Sequence, residues 1–230
     1  MDKPAIHYLE RCSITDQQIE MSARTGICGT DRATLVRCEI LLLPRGMPAG
    51  RSGERFDFSF SRLEQCTIRA RGTVKSVHFN VRLQLVDCRF EGGPFESPQF
   101  GQSLPPSAPL DGWPDSIVQN CDFRNAELRD ARFYSVTIDQ VQLPGWPHIT
   151  LLSPFGAGES QPEPRMMVNP NATNDPLHSP WMFIQDALER PRPAGTSIWV
   201  VHASELVKDR ELQTSLREML DNLRHPRIRY

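Results

Sequence analysis

Apolar side chains keep a register of five between Ile117 and Leu143. Small or modest residues recur at Cys121, Ala126, Ala131, Val136 and Val141. A large apolar residue follows each one two positions later: Phe123, Leu128, Phe133, Ile138 and Leu143. An α-helix has a period of 3.6 and a single strand a period of 2, so neither holds this register through five cycles. Residues two apart on an extended segment point the same way. If the chain turns a corner every five residues, both members of each pair point inward, and four sides close a coil of roughly twenty residues. The positions between them are polar (Asp122, Arg124 and Asn125, then Glu127, Arg129 and Asp130) and face water. Successive coils then pair their backbones about 4.8 Å apart, as neighbouring strands do.

A longer repeat extends this pattern toward the N-terminus. The frame Leu-x-x-Cys-x-Ile/Phe recurs at Leu9…Cys12-Ser-Ile14, Leu35…Cys38-Glu-Ile40, Leu63…Cys66-Thr-Ile68 and Leu85…Cys88-Arg-Phe90. It returns as Val118…Cys121-Asp-Phe123, and a further copy, Ile138…Val141-Gln-Leu143, has valine in the cysteine place. The cysteine places lie 26, 28, 22, 33 and 20 residues apart. The last spacing is four five-residue units, and the others are one coil plus an insertion. Periods of this size mark a solenoid in which each unit buries its apolar face on the next. The coil is therefore expected from about residue 5, with Cys12, Cys38, Cys66, Cys88 and Cys121 in one inward column.

The units Cys121-Asp-Phe-Arg-Asn, Ala126-Glu-Leu-Arg-Asp and Ala131-Arg-Phe-Tyr-Ser resemble those of the pentapeptide-repeat family, whose unit is roughly Ala-Asp/Asn-Leu-x-x. The resemblance implies a mainly β fold, a right-handed parallel β-helix of four-sided coils. Its strict part covers about residues 119–143. With the longer repeat it predicts a β-helix solenoid over 1–155 with loop insertions at 44–55 and 91–115. A linker or long loop follows at 156–180, then a small C-terminal α/β segment, helix–strand–helix, at 181–230.

The two insertions carry the candidate binding residues. Pro44 to Arg55 is rich in Gly and Pro, and Arg45, Arg51 and Arg55 make it basic. It lacks the Gly-Lys-Ser/Thr ending of a phosphate-binding loop. Glu91 to Asp115 holds six prolines and four glycines together with Phe95, Phe100 and Trp113. Aromatic anchors on a proline-stiffened loop suit docking to a protein partner; the alternative is that they fold back over the coil. In the C-terminal segment Ser197 to His202 reads as a buried strand. A helix is expected from Ser204, its N-cap, to about Arg224, with Leu212, Leu216, Met219, Leu220 and Leu223 on one stripe and Pro226 after its end. The segment is too small to bury much alone, so it should pack on the coil or on a partner. The first coil also needs a cover, because an open edge invites pairing: a loop, the C-terminal segment or a second protomer.

Charge and chemistry narrow the function only modestly. The net charge is −2, and residues 1–150 carry 17 Lys+Arg against 18 Asp+Glu. That balance disfavours nucleic-acid binding, which wants a basic stripe. It equally disfavours the DNA mimicry by which some pentapeptide-repeat proteins bind a topoisomerase. No signal-peptide core follows Met1 and no apolar run reaches membrane-spanning length, so the expected location is cytoplasmic. Five of the six cysteines share one inward position and act as small hydrophobes. No Cys-x-x-Cys pair or histidine cluster points to a metal, and no cofactor motif is present. For catalysis the candidates are His202, Ser204 and Glu205, without a Gly-x-Ser-x-Gly elbow; a carbohydrate-active hydrolase or lyase on a β-helix is the enzyme alternative. The leading expectation is a non-catalytic protein-binding scaffold with a protein partner, in its narrow form a bacterial immunity or antitoxin-type inhibitor. Self-association through an uncapped coil end is a further expectation.

Overall fold

The computed structural model describes residues 6–10, 13–22, 26–31, 33–44, 58, 61–75, 77–79, 82–101, 116–152, 176–189 and 196–230. The chain begins with β1 (Ile6–Glu10), β2 (Ser13–Thr15), β3 (Gln18–Ser22) and β4 (Gly26–Asp31). It continues through β5 (Ala33–Val36), β6 (Glu39–Leu43), β7 (Ser61–Glu64), β8 (Thr67–Lys75) and β9 (His78–Phe79). Next come β10 (Gln84–Val86), β11 (Arg89–Glu96), β12 (Gln99–Gly101), β13 (Ile117–Gln119), β14 (Cys121–Arg129) and β15 (Ala131–Tyr134). A 3-10 turn at Ile138–Gln140 leads to β16 (Val141–Gln142) and β17 (His148–Leu152). The C-terminal part holds α1 (His178–Glu189), β18 (Thr196–His202), α2 (Ala203–Leu206), α3 (Arg210–Leu223) and β19 (Ile228–Arg229).

The fold is mainly β with parallel sheets. The first sheet is β2, β5, β7, β10 and β13; the second is β3, β6, β8, β11, β14 and β16; the third contains β9, β12 and β15. Pairing among all of these strands is parallel. From β7 to β15 the chain visits the three sheets in the same order three times, β2–β3 and β5–β6 visit the first two in that order, and β1 and β4 form a separate parallel pair. Equivalent residues stack. Ile14, Leu35, Leu63, Leu85 and Val118 form one column, and Ile40, Ile68 and Phe90 begin another. Phe58, Phe79, Phe100 and Phe133 stack ring on ring at 5.2, 5.0 and 4.7 Å between centroids. These side chains share one buried core.

Two kinds of corner produce the period of five. In β14 the inward residues are Cys121, Phe123, Ala126 and Leu128, and the alternation is broken where Arg124 and Asn125 both face out. At the other kind, a non-glycine residue sits in the left-handed region: Asp16, Arg37, Gln65, Asp87 and Asn120 have φ of 55°, 51°, 54°, 53° and 53°. Asn and Asp tolerate this conformation better than most residues, which accounts for their place just before the small inward residue. The first four of these N–H groups donate to a carbonyl one circuit on: Asp16 to Val36, Arg37 to Glu64, Gln65 to Val86 and Asp87 to Gln119, at 2.9–3.1 Å. The backbone therefore remains hydrogen-bonded through its turns as well as its strands.

Several expectations need correction. Cys38, Cys66, Cys88 and Cys121 do stack, each Sγ reaching the carbonyl of Ile14, Leu35, Leu63 and Leu85 respectively, and Val141 pairs with Cys121 as its frame requires. The first copy of the frame is out of step by five. Ile14 pairs with Leu35 and Ile19 with Ile40, so Gln17 takes the place below Cys38, and Cys12 lies outside the described residues. The expected insertion at 91–115 begins later, because Glu91–Glu96 and Gln99–Gly101 are core strands. Residues 102–115 and 45–57 lie outside the described residues, as do 153–155 at the end of the expected solenoid and 156–175 of the expected linker. The first C-terminal helix starts at His178, inside the segment expected to be linker.

The C-terminal part joins the third sheet directly. β18 pairs antiparallel with β15 on one side and with β17 on the other, and β19 follows β17. Its two faces serve two cores. Ile198 and Val200 continue the coil columns, opposite Phe133 and Ala131. Trp199 and Val201 enter a second cluster with Trp181, Ile184 and Leu188 of α1 and Leu216 and Leu220 of α3. A strand buried on both faces has no polar alternation to show, hence the run Ile-Trp-Val-Val. The expected single helix from Ser204 is two helices. His202 caps α2, Asp209 caps α3, and Arg224 closes α3 in the left-handed conformation at φ 48°.

Candidate binding cleft

The last circuit faces a problem the earlier ones do not: its edge amides have no following circuit to accept them. An unpaired backbone N–H is costly to bury. Here single side chains from β17 and the C-terminal part take the place of the missing carbonyls. The Leu128 N–H donates to His148 Nε2 at 3.0 Å, the Asp130 N–H to Glu205 Oε2 at 3.1 Å, and the Val136 N–H to Ser197 Oγ at 2.9 Å. One circuit earlier, the equivalent corner residue Ser97 donates instead to the Arg129 carbonyl.

This arrangement fixes the protonation of both histidines. His148 is buried; its Nε2 accepts from Leu128, and its Nδ1–H donates to the Gly145 carbonyl at 3.1 Å. Burial pushes its pKa down to about 4. The His202 ring stands perpendicular to it, 5.0 Å between centroids. His202 Nδ1 accepts the Ser204 N–H at 3.2 Å and the Ser204 hydroxyl at 2.7 Å, and burial lowers its pKa as well. Glu205 Oε2 also accepts the His202 N–H at 2.8 Å. The three residues singled out for catalysis thus form a reciprocal helix cap in which the Glu205 carboxyl binds backbone amides.

Beside this cap a cleft of about 490 Å³ opens between the outer face of the third sheet and helices α1 and α2. Asp130 and Arg132 form its coil wall. The Asp130 carboxylate accepts Trp199 Nε1–H at 2.8 Å, the Ser97 hydroxyl at 3.0 Å and Arg132 at 3.3 Å. The Arg132 guanidinium lies 5.4 Å from the Trp199 ring centre, a cation–π distance. Phe183 of α1 stands opposite, 5.1 Å from Trp199 and tilted by 57°, and stays 38% exposed. Glu205 keeps exposed surface, yet desolvation of its carboxyl against the wall raises its pKa. The cleft therefore combines an aromatic wall, one guanidinium and two carboxyl groups.

The residues proposed from sequence as partner contacts are not brought together here. Phe95 and Phe100 are fully buried, Phe100 between Phe79 and Phe133 in the aromatic stack, so neither is free to anchor a partner; they instead fold inward. Arg45, Arg51, Arg55 and Trp113 lie outside the described residues. Sequence reasoning named Asp130 only as a water-facing repeat position and missed Arg132, Phe183 and Trp199 as a group. Trp199, a large aromatic on the non-coil parity of a buried strand, was the available signal.

Cys38, Cys66, Cys88 and Cys121 are free and buried. Burial pushes the Cys66 thiol up to about 12, and hydrogen bonding with Cys121 together with burial raises Cys88, so the Cys66 and Cys88 thiols are poor nucleophiles. Among the described residues no cluster of His, Cys, Asp and Glu is arranged to hold a metal ion, and no helix is long and apolar enough to cross a membrane. No protein-family model, curated protein or solved structure matches the chain.

Proposed function

We propose that this chain is a non-catalytic protein-binding scaffold built on a right-handed parallel β-helix of the pentapeptide-repeat kind. The β-helix reading is supported by the fixed cyclic order of strands through three sheets and by the columns of equivalent residues. The binding reading rests on one observation above the others: the Glu205 carboxyl and the His202 ring are engaged in capping backbone amides, while an aromatic cleft beside them remains open. Rigid coils offer a pre-organised surface, which lowers the ordering cost of association. The narrow form of the proposal is a bacterial immunity or antitoxin-type inhibitor acting in the cytoplasm. It rests on chain size and on this fixed architecture. Residues 102–115, with Trp113, and the arginines of 45–55 remain candidate partner contacts.

The hydrolase alternative draws on the 2.7 Å contact between Ser204 Oγ and His202 Nδ1. Against it, the same nitrogen also accepts a backbone N–H, so the pair acts as a turn of capped helix. The first strands, β2 and β3, end their sheets, and this is the edge through which two copies would associate.

Affinity capture from source-cell lysate, followed by purification of the captured protein and calorimetric titration with this chain, tests the proposal. Saturable, stoichiometric binding is expected. Turnover of ester, amide or glycoside substrates that disappears in a folded His202→Ala protein would overturn it in favour of an enzyme. Deleting 102–115 while leaving strands β11 and β12 intact separates the loop from the cleft as the contact.

A further inference from the structure

The cleft between the third sheet and α1 has an unbalanced set of polar groups. Asp130 is fully engaged: one carboxylate oxygen takes Trp199 Nε1–H and Arg132, the other the Ser97 hydroxyl. Arg132 is accordingly committed to Asp130 and to the face of Trp199. Glu205 differs. Both of its backbone donors, from Asp130 and His202, land on Oε2; among the described contacts none is to Oε1, and Glu205 lines the cleft. Among the lining residues two carboxyl groups therefore face one guanidinium, which belongs to Asp130; Arg129, whose charge also reaches Glu205, is paired with Glu127. Phe183, 38% exposed, presents an aromatic ring beside Trp199. The placement of Arg132 over Trp199 shows that this wall accepts a planar cation.

We propose that the cleft receives the cationic side chain of an arginine or lysine from the protein partner, with Glu205 as counter-ion and Phe183 with Trp199 as the aromatic wall. The inference rests on the protein-binding reading above and specifies its contact. The chemistry favours a cation over an anion, since an anion would meet Glu205 and Asp130 and find Arg132 already paired. A cation beside an aromatic face gains attraction from the ring's electrons, more so when partly desolvated. About 490 Å³ suits one long side chain and its adjoining backbone. Burial raises the Glu205 pKa, and an incoming positive charge would oppose that rise by favouring the ionised carboxylate.

The test uses the full chain labelled with nitrogen-15, following the Trp199 Nε1–H resonance during titration. The probes are N-acetyl-arginine methylamide, N-acetyl-lysine methylamide and the uncharged isostere N-acetyl-citrulline methylamide. The arginine and lysine probes are expected to move the resonance saturably in the millimolar range, with citrulline at least about tenfold weaker. Glu205→Gln keeps an oxygen for the two backbone donors while removing the charge. It is expected to weaken the arginine probe about tenfold with the rest of the spectrum unchanged. Phe183→Ala, on an exposed helix face, gives a second variant with the same expected loss. Equal binding of citrulline and arginine, no saturable shift up to about 50 mM, or undiminished binding by both variants would overturn the inference. If a captured protein partner binds both variants as tightly as the parent, the cleft assignment falls and the scaffold reading stands. If the arginine probe binds but no protein partner exists, the scaffold reading falls instead.

Discussion

At Asp16, Arg37, Gln65 and Asp87 the left-handed corner hands its N–H to a carbonyl of the next circuit, whereas at Leu128 and Asp130 a histidine ring and a carboxylate do the accepting. The requirement is the same in both regions. In the coil it is met by repetition, and any sequence that keeps the period meets it. At the cap it is met by two particular side chains, each partly withdrawn from water. The surfaces differ for the same reason. Outward residues of the coil pair along the stack, as Arg69 does with Glu39 and Glu91 at 2.8 and 2.7 Å. At the cap the repeat stops, and polar groups are left beside an aromatic wall with no further circuit to pair with. The distinctive site lies where the stacking of parallel strands ends.

The sharpest way to separate the two regions is to damage each and compare stabilities. Phe123 lies 4.5 Å from Phe90 and 5.2 Å from Phe133, ring centre to ring centre. Phe123→Ala should lower the unfolding free energy by about 3–5 kcal/mol in urea titration. A loss no larger than that of a surface substitution would mean the columns are not the source of stability.

Acid should act on the cap before it acts on the coil. His148 titrates near 4 when folded and near the ordinary histidine value of about 6.5 when unfolded. Between those values the unfolded chain binds more protons, so stability is complete above about pH 6.5 and declines as pH falls toward 4, by roughly 2–3 kcal/mol. His148→Gln should flatten that part of the profile in thermal or urea unfolding followed against pH. An unchanged profile would remove His148 from the cap.

Smaller effects sharpen the comparison further. Asp209 caps α3 by accepting the N–H groups of Glu211 and Leu212, and Asp209→Ala should cost about 1 kcal/mol. The Arg37–Asp16 pair at 2.7 Å is exposed on both sides. Arg37→Ala should change stability by no measurable amount, and a clear loss in the same urea titration would show that the outward ladders contribute to the fold.

Much of the coil was legible because one small residue type, cysteine, tags the same inward place in Cys38, Cys66, Cys88 and Cys121. The first circuit was misread for a physical reason. A period of five is indifferent to a shift of five, so Ile14 and Ile19 fit either neighbour, and Cys12 supplied a tag in the wrong unit; the structure sets Ile14 beside Leu35. Glu91–Gly101 was taken for a loop because Gly92, Gly93 and Pro94 look like breakers. Gly92 is instead demanded by the coil, since a Cβ there would lie 2.3 Å from the Ala70 carbonyl oxygen. The cap was legible only as elements. β18 and the helices could be expected from their patterns, but His148 and Glu205 are single polar residues with no period, and their roles depend on an antiparallel strand that breaks the repeat.

Backbone nuclear Overhauser effects from a deuterated, isotope-labelled sample test the stacked register most directly. The account predicts cross-peaks joining Leu63 to both Leu35 and Leu85, Leu85 to Val118, and Ile14 to Leu35. Cross-peaks from Ile14 to Ile40, or the absence of any contact between Leu63 and its two neighbours in the column, would contradict it.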